Sequence, residues 1–340
     1  MKINYSVVKN FRNFAGPELK IEWDPGINLI LGPNGSGKTN LLESLSVLCG
    51  WGAFTRTQNI ISWKNSNLRA GCFAEVSGEE NFNISANISS RISLRLNDKT
   101  ISFTDLRLSI PSIIFLTGGV NLIDGSPSSR RLFIDRLCSL FFPPYAKKLS
   151  DFKYIMRSRT ALLRQGKSPE ATTKLFCNIG GYIMDKRREV LELLKKIMTQ
   201  KKFYMEFLPV LKTSGEEYLL NALKENSIRE FHAARPLNGP NYEELSITLL
   251  ENNKSASEAL SRGQKRRLIL YLIIAAGKLI NLKLKREPIL LFDDLTAELD
   301  LEGREWTYKK LIETGWQIFL TAPEKPFAIK KNFGGINFQA

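Results

Sequence analysis

Apolar positions recur along the chain with two periods, and the switches between them outline its elements. Ile27, Leu29 and Leu31 form a short apolar strand, and Leu41, Leu42, Leu45 and Leu48 follow at helical spacing. Residues 1 to about 50 therefore predict strand, strand, glycine loop, helix. From Ala70 to Phe103 the period is two, clearest in Ile92, Leu94 and Leu96 and then in Ile101 and Phe103; Asn97-Asp98 suits the hairpin turn between them. From about Gly125 to Glu230 the pattern is mostly helical, with Ser126 as an N-cap and Pro127 as a first helical residue. After Gly239-Pro240 the two-residue period returns at Leu245, Ile247 and Leu249. A helix from about Arg262 to Lys278, a buried strand at Ile289–Phe292 and a last strand at Gln317–Leu320 complete the reading. The expected fold is α/β: a head made from both chain ends, 1–120 and 246–340, with a helical domain inserted at 121–245.

Charge changes the picture. Forty-nine Lys and Arg against 34 Asp and Glu leave +15, an excess that favours a polyanionic partner through counterion release. A solvated basic surface and an anionic membrane surface stay open on charge alone. Cys49, Cys72, Cys138 and Cys177 are scattered without a C-x-x-C pair, against a zinc site or disulfide framework. No run approaches the ~20 apolar residues that span a bilayer, and the N-terminus has no apolar signal core. The chain reads as cytoplasmic, with no membrane partner.

Gly32-Pro33-Asn34-Gly35-Ser36-Gly37-Lys38-Thr39 fits G-x-x-x-x-G-K-[ST] between a strand and a helix. Such glycines let backbone N–H groups turn inward around a phosphate, and the helix presents its positive end to the same anion. Lys38 is placed to reach the β and γ phosphates of ATP, and the Thr39 hydroxyl to take a Mg2+ position. Ile289-Leu290-Leu291-Phe292-Asp293-Asp294 is an apolar strand ending in two carboxylates, where ligands of parallel sheets sit. Asp293 suits magnesium, and Asp294 the polarising of an attacking water. Ser261-Arg262-Gly263-Gln264 opens the later helix, where Ser261 would also serve as an ordinary N-cap.

The order of these segments resembles the ABC-type ATPase head, a mixed sheet plus an antiparallel β subdomain. By that resemblance ATP is sandwiched between two copies, Ser261 and the Gly263 backbone complete the partner's site within the signature Ser261–Gln264, and Glu298 to Asp300 match the loop that crosses the same interface. Transporter heads carry a histidine after the strand that follows the acidic one. Here Ile318-Phe319-Leu320 leads to Thr321, whose hydroxyl can hydrogen-bond a γ-phosphate but not titrate, which implies slow turnover. His232, the one histidine, reads as a surface or packing residue.

Over most of its length the chain is similar to the RecF family of bacterial recombination and replication-repair proteins. Phe11-Arg12-Asn13-Phe14, Gly26-Ile27-Asn28, the phosphate loop through Asn40-Leu41-Leu42-Glu43, Gly125-Ser126-Pro127 with Arg130-Arg131 and Asp135, the signature segment, Asp293-Asp294 and Glu298-Leu299-Asp300 all fit it. The resemblance adds Arg12, Asn13 and Asn40 to the ATP contacts. It implies ATP-dependent homodimerisation on double-stranded and gapped or single-stranded DNA, weak DNA-stimulated hydrolysis, and work with RecR and RecO to help RecA. Departures fall at Leu116–Val120, at Asn241–Glu244, where the family has His-Arg-Asp-Asp, and in the Lys265-Arg266-Arg267 tail of the signature. Candidate DNA contacts are the paired bases: Arg130 and Arg131 first, then Lys186, Arg187 and Arg188. A transporter ATPase, and a nucleotide-binding DNA module that has lost hydrolysis, stay open as alternatives.

Overall fold

A computed structural model of the chain describes residues 1–54, 61, 69–116, 122–198, 202–296 and 299–322, with the backbone of Gly334–Asn337. It opens with three strands rather than two, β1 (Lys2–Lys9), β2 (Leu19–Glu22) and β3 (Ile27–Leu31), followed by helix α1 (Lys38–Leu48). Then come β4 (Ala70–Ser77), β5 (Phe82–Ile88), β6 (Ile92–Leu96), β7 (Lys99–Ile101), α2 (Phe103–Ser109) and β8 (Ser112–Phe115). The middle holds α3 (Pro127–Phe141), α4 (Tyr145–Arg164), α5 (Glu170–Ile197), β9 (Phe203–Leu208), α6 (Gly215–Glu225), α7 (Ser227–Ala233), β10 (Glu244–Leu249) and α8 (Ala256–Ala259). After α9 (Arg262–Leu284) the chain closes with β11 (Ile289–Phe292), α10 (Leu301–Ile312), β12 (Ile318–Ala322) and β13 (Gly334–Asn337).

Two compact units result, one from Met1–Gly119 with Ile280–Ala340, the other from Val120–Leu279. The first contains a parallel sheet in the order β13-β3-β12-β11-β8 and an antiparallel sheet in the order β2-β1-β4-β5-β6-β7. The hairpin expected at Asn97-Asp98 joins β6 to β7, both residues at positive φ (44° and 62°) as a type I′ turn requires. Helix α1 touches β4 and β5 of one sheet and β11 and β12 of the other. Its leucines 41, 42, 45 and 48 are wholly buried, each contributing roughly 2 kcal/mol of apolar burial. This wedge fixes the loop ahead of α1 against both sheets. Gln317, buried just before β12, ties the chain's beginning to its end: its side chain accepts from Ile3 N at 2.7 Å and donates to the carbonyls of Ile3 at 2.8 Å and Asp24 at 2.9 Å.

In the second unit α5 contacts α3, α4 and α6, and β9 pairs antiparallel with β10. Strand β9 interrupts the helical stretch expected from the sequence; Met205 and Phe207 face inward and Phe203 is half-buried between them and solvent. Pro127 is the first residue of α3 after Ser126, as expected. Among the described residues no helix is long and apolar enough to cross a membrane.

All four cysteines are unpaired and buried. Burial pushes the Cys49 thiol from its ordinary 9.0 up to about 12, with a Ser112 hydrogen bond opposing, and raises the other three as well. The folded protein is expected to resist a thiol-disulfide reagent at pH 7.5 while the denatured chain reacts at all four positions. The unfolded chain releases these protons first, so stability should be level below about pH 9 and fall as pH rises towards 12. Thiol titration and alkaline melts check both.

Candidate nucleotide site

Strand β3 delivers the chain into the phosphate loop, and α1 begins at Lys38. Gly35 and Gly37 have φ of 85° and 103°, where side chains are strained. Any side chain at Gly37 would strain its backbone, and a Cβ there would lie 2.4 Å from Asn13 Nδ2, which would have to move. Helix α1 has neither a side-chain cap nor an acid in its first turn, which leaves its N–H groups and positive end to an external anion. Ser36 Oγ is buried with no hydrogen-bond partner, a second polar group suited to a phosphate oxygen. Lys38 Nζ donates to the carbonyls of Gly32 at 2.7 Å and Pro33 at 2.9 Å, curling the ammonium back over the loop.

A turn braces this loop from the side. Phe11 and Phe14 exchange backbone hydrogen bonds, so that Arg12 (φ 55°) and Asn13 form the tip. Asn13 Nδ2 donates to Ser36 O at 3.2 Å, and Asn40 Nδ2 donates to Asn13 Oδ1 at 2.7 Å. Arg12, expected among the ATP contacts, is given another partner: its fork meets both oxygens of Glu43 at 2.9 Å. Glu43 is buried in α1 and also accepts from Phe54 N at 2.8 Å, so the pair anchors the turn to the helix.

The two acids stand at the end of β11, beside the ends of β3 and β12. Strand β12 lies between β3 and β11, with Leu320 opposite Phe292 and Thr321 opposite Ile30. That register brings Thr321 Oγ1 within 2.8 Å of Asp293 Oδ1, which also accepts from Thr39 Oγ1 at 3.0 Å. Asp294 N donates to Thr321 Oγ1 at 2.8 Å, and Asp294 itself is left-handed at φ 53°. Thr321 was expected to reach a γ-phosphate. It is 1 % exposed, its hydroxyl donating to Asp293 and accepting from Asp294 N, which sets it between the two acids. Thr321→Val removes an acceptor from the Asp294 N–H and is expected to cost about 1–3 kcal/mol. A denaturant melt checks this, with Thr321→Ser recovering most of the loss.

The Thr39 and Asp293 oxygens are the hard donors that magnesium takes, and it binds through one or two protein oxygens plus phosphates. No cluster of three or more His, Cys, Asp or Glu able to cage a metal occurs among the described residues.

The signature segment forms a capping box at the start of α9. Gln264 N donates to Ser261 Oγ at 3.3 Å, and Ser261 N donates to Gln264 Oε1 at 2.9 Å. Ser261, Arg262 and Gln264 are exposed, and a Cβ on Gly263 would meet nothing within 4 Å. Lys265 is held by Asp124 at 2.6 Å. Asp300 caps α10 by accepting from Gly303 N at 2.8 Å, while Glu298 lies outside the described residues, as do 117–121 of the first departure.

The expected DNA contacts change most. Arg187 is 2 % exposed, its fork on Asp135 at 2.8 and 2.9 Å and its third nitrogen on Glu243 at 2.7 Å and Pro240 O at 2.6 Å. A guanidinium buried and paired in this way cannot reach a phosphate, and the expectation at Arg187 is corrected. Arg188 meets Glu243 and Pro209 O, Arg130 meets Glu244 at 2.6 Å, and Arg131 donates to Glu243 O at 2.5 Å. Lys186 pairs with Glu189 at 2.6 Å. The departure at Glu243-Glu244 therefore keeps two carboxylates that arginines hold. His232 is exposed on α7, as read from the sequence.

Fold and site together define a P-loop ATPase head. The family model described as RecF/RecN/SMC N terminal domain matches residues 2–333, and the chain belongs to that family. It is 32 % identical to the DNA replication and repair protein RecF of Shewanella pealeana, over 97 % of this chain and 94 % of that protein. To the protein of the same name from Heliobacterium modesticaldum it is 27 % identical, over 94 % of this chain and 92 % of the relative. The solved structure of the recombination mediator protein RecF-ATPrS in the RecFOR pathway superposes with a TM-score of 0.85 at 22 % identity, covering 100 % of this chain and 98 % of that one. These matches favour the repair ATPase over a transporter subunit.

Proposed function

We propose that the chain is an ATP-dependent DNA-binding protein of recombinational repair and replication restart, in which ATP closes two heads on DNA and slow hydrolysis reopens them. The observation that carries this reading is Asp293 Oδ1, which takes hydroxyl hydrogen bonds from Thr39 and Thr321 and so joins the phosphate loop to the acidic strand. Lys38 and the loop N–H groups bind the phosphates, Thr39 and Asp293 hold magnesium, and Asp294 orients the attacking water. Magnesium, when bound, neutralises charge developing on the β and γ phosphates. The exposed Ser261, with the Gly263 backbone, completes the site of a second copy. The names of the relatives support DNA repair, and the pathway named for the solved structure supports RecR and RecO as partners; action with RecA, in the cytoplasm, rests on the family resemblance. Gapped or single-stranded DNA joined to duplex is the favoured substrate.

Light scattering coupled to size exclusion tests this. A dimer is expected with ATP, and with ATP plus DNA, but not with ADP. Ser261→Arg, which puts a long cation where a phosphate cap is needed, should leave a monomer. Turnover without DNA should stay below about one per second. A parent protein monomeric in every condition would defeat the reading.

A further inference from the structure

Several basic residues of the Val120–Leu279 unit are neutralised in place, and one group on a helix face is not. Arg130, Arg159, Arg187, Arg188 and Lys265 each face a carboxylate, and their charge is neutralised where it sits. One face of α4 differs. Lys153, Arg157 and Arg164 are exposed, and none has a hydrogen bond or ion pair among the described residues. At 1.5 Å rise and 100° per residue they fall within about 40° of arc, spaced about 6 Å and 10 Å along the axis. They line a shallow groove of about 660 Å³ whose other walls are neutral, including Thr160, Gln165 and Asn241, with no carboxylate. Tyr154, 72 % exposed on the same helix, lies about 60° round from Arg157 and flanks the groove rather than lining it.

We propose that this face of α4 is a binding groove for single-stranded nucleic acid, with Lys153, Arg157 and Arg164 on phosphates and Tyr154, on the flank beside the groove, stacked on a base. The inference rests on the reading of the chain as a DNA-binding protein and assigns that contact to residues outside the paired-base runs. Unpaired cations without nearby acids are what counterion release requires. The exposed ring selects the strand form: a base in a duplex is already stacked on its neighbours, whereas an unpaired base offers its face to an aromatic side chain. Thr160, Gln165 and Asn241 supply neutral hydrogen-bonding groups that suit sugar and phosphate of any sequence.

Fluorescence anisotropy with a labelled oligo-dT strand and with a duplex of equal length separates the parts. The triple variant Lys153→Gln/Arg157→Gln/Arg164→Gln should bind the strand at least tenfold more weakly, and its salt slope should drop by about 2, at ~0.7 per phosphate. Tyr154→Ala should lose about tenfold on the strand with the salt slope and duplex affinity unchanged, and Tyr154→Phe should recover it. All four side chains are exposed, so thermal melts should match the parent. Unchanged strand affinity in the triple variant overturns the groove, and equal losses on strand and duplex in Tyr154→Ala overturn the strand preference. ATP-driven dimerisation is scored on the same variants: its persistence beside unchanged strand binding refutes this groove alone, and its absence from the parent refutes the clamp reading instead.

Discussion

Replacing Arg187 with methionine is expected to cost about 3–5 kcal/mol, because it leaves buried Asp135 without its cation and Glu243 with Arg188 alone. Asp135 on α3 and Glu243 ahead of β10 both face the guanidinium, and Tyr145 on α4 donates to Asp135, so one side chain on α5 joins four segments. Burial works to lower the guanidinium's pKa; the facing carboxylates outweigh it and raise it, as expected of a charge stabilised more by partners than by water. Against a typical total stability of about 5–15 kcal/mol, the loss leaves little margin. The melting temperature should fall by about 10 °C or more, followed by circular dichroism. Arg187→Lys should fall between, since an ammonium keeps the charge but cannot fork onto Asp135 while reaching Glu243. Adding Asp135→Leu to Arg187→Met should restore part of the loss. A methionine variant melting within a degree of the parent would show that the network is not what holds the unit together.

The second large effect falls on chemistry. Asp293→Asn is expected to slow phosphate release about a hundredfold or more while leaving the fold intact. Asparagine keeps the shape and an oxygen able to accept from Thr39 and Thr321, so the sheet ends stay joined. What it lacks is the negative charge that, in the proposed site, would hold magnesium against the phosphates. Nucleotide affinity should change only a few-fold, since Lys38 and the loop N–H groups remain, and dimers formed with ATP should persist. Phosphate-release assays and labelled-ATP anisotropy on one preparation check both halves. Hydrolysis at the parent rate would remove Asp293 from the metal site.

The phosphate loop and the acidic strand were legible in the sequence because each is a local pattern: glycines and a lysine at fixed spacing, and four apolar residues ending in acids. Their meeting point was not, because Thr321 reaches Asp293 through the strand order β3-β12-β11, and that order is set by the whole sheet. Strand β8 escaped notice because Ser112–Phe115 is a short apolar run after a proline, which periodicity alone does not separate from a buried helix end. The paired bases misled for a different reason. Lys186-Arg187-Arg188 looks like a charge cluster, yet helical phase places Arg187 in line with Ile183, Met184, Val190, Leu191 and Leu194, all buried. A cation on the apolar stripe of an amphipathic helix is a sign of a buried pair, and that signal was present in the sequence. Its partners, Asp135 and Glu243, lie more than fifty residues away in either direction and carry no local mark.

The strand order has a further consequence, for how the head is made. In the order β13-β3-β12-β11-β8, β3 and β8 leave the ribosome early and the two strands that separate them come after residue 288. Until then β3 and β8 are open edges with buried-type side chains facing nothing, the condition in which nascent chains aggregate. The Val120–Leu279 unit has its own core and all its strand pairings within it, so it can be complete while the head is still half a sheet. The nucleotide site therefore exists only once translation passes Asp293 and Thr321: Lys38 and Thr39 are made early and wait about 250 residues for the acids to arrive.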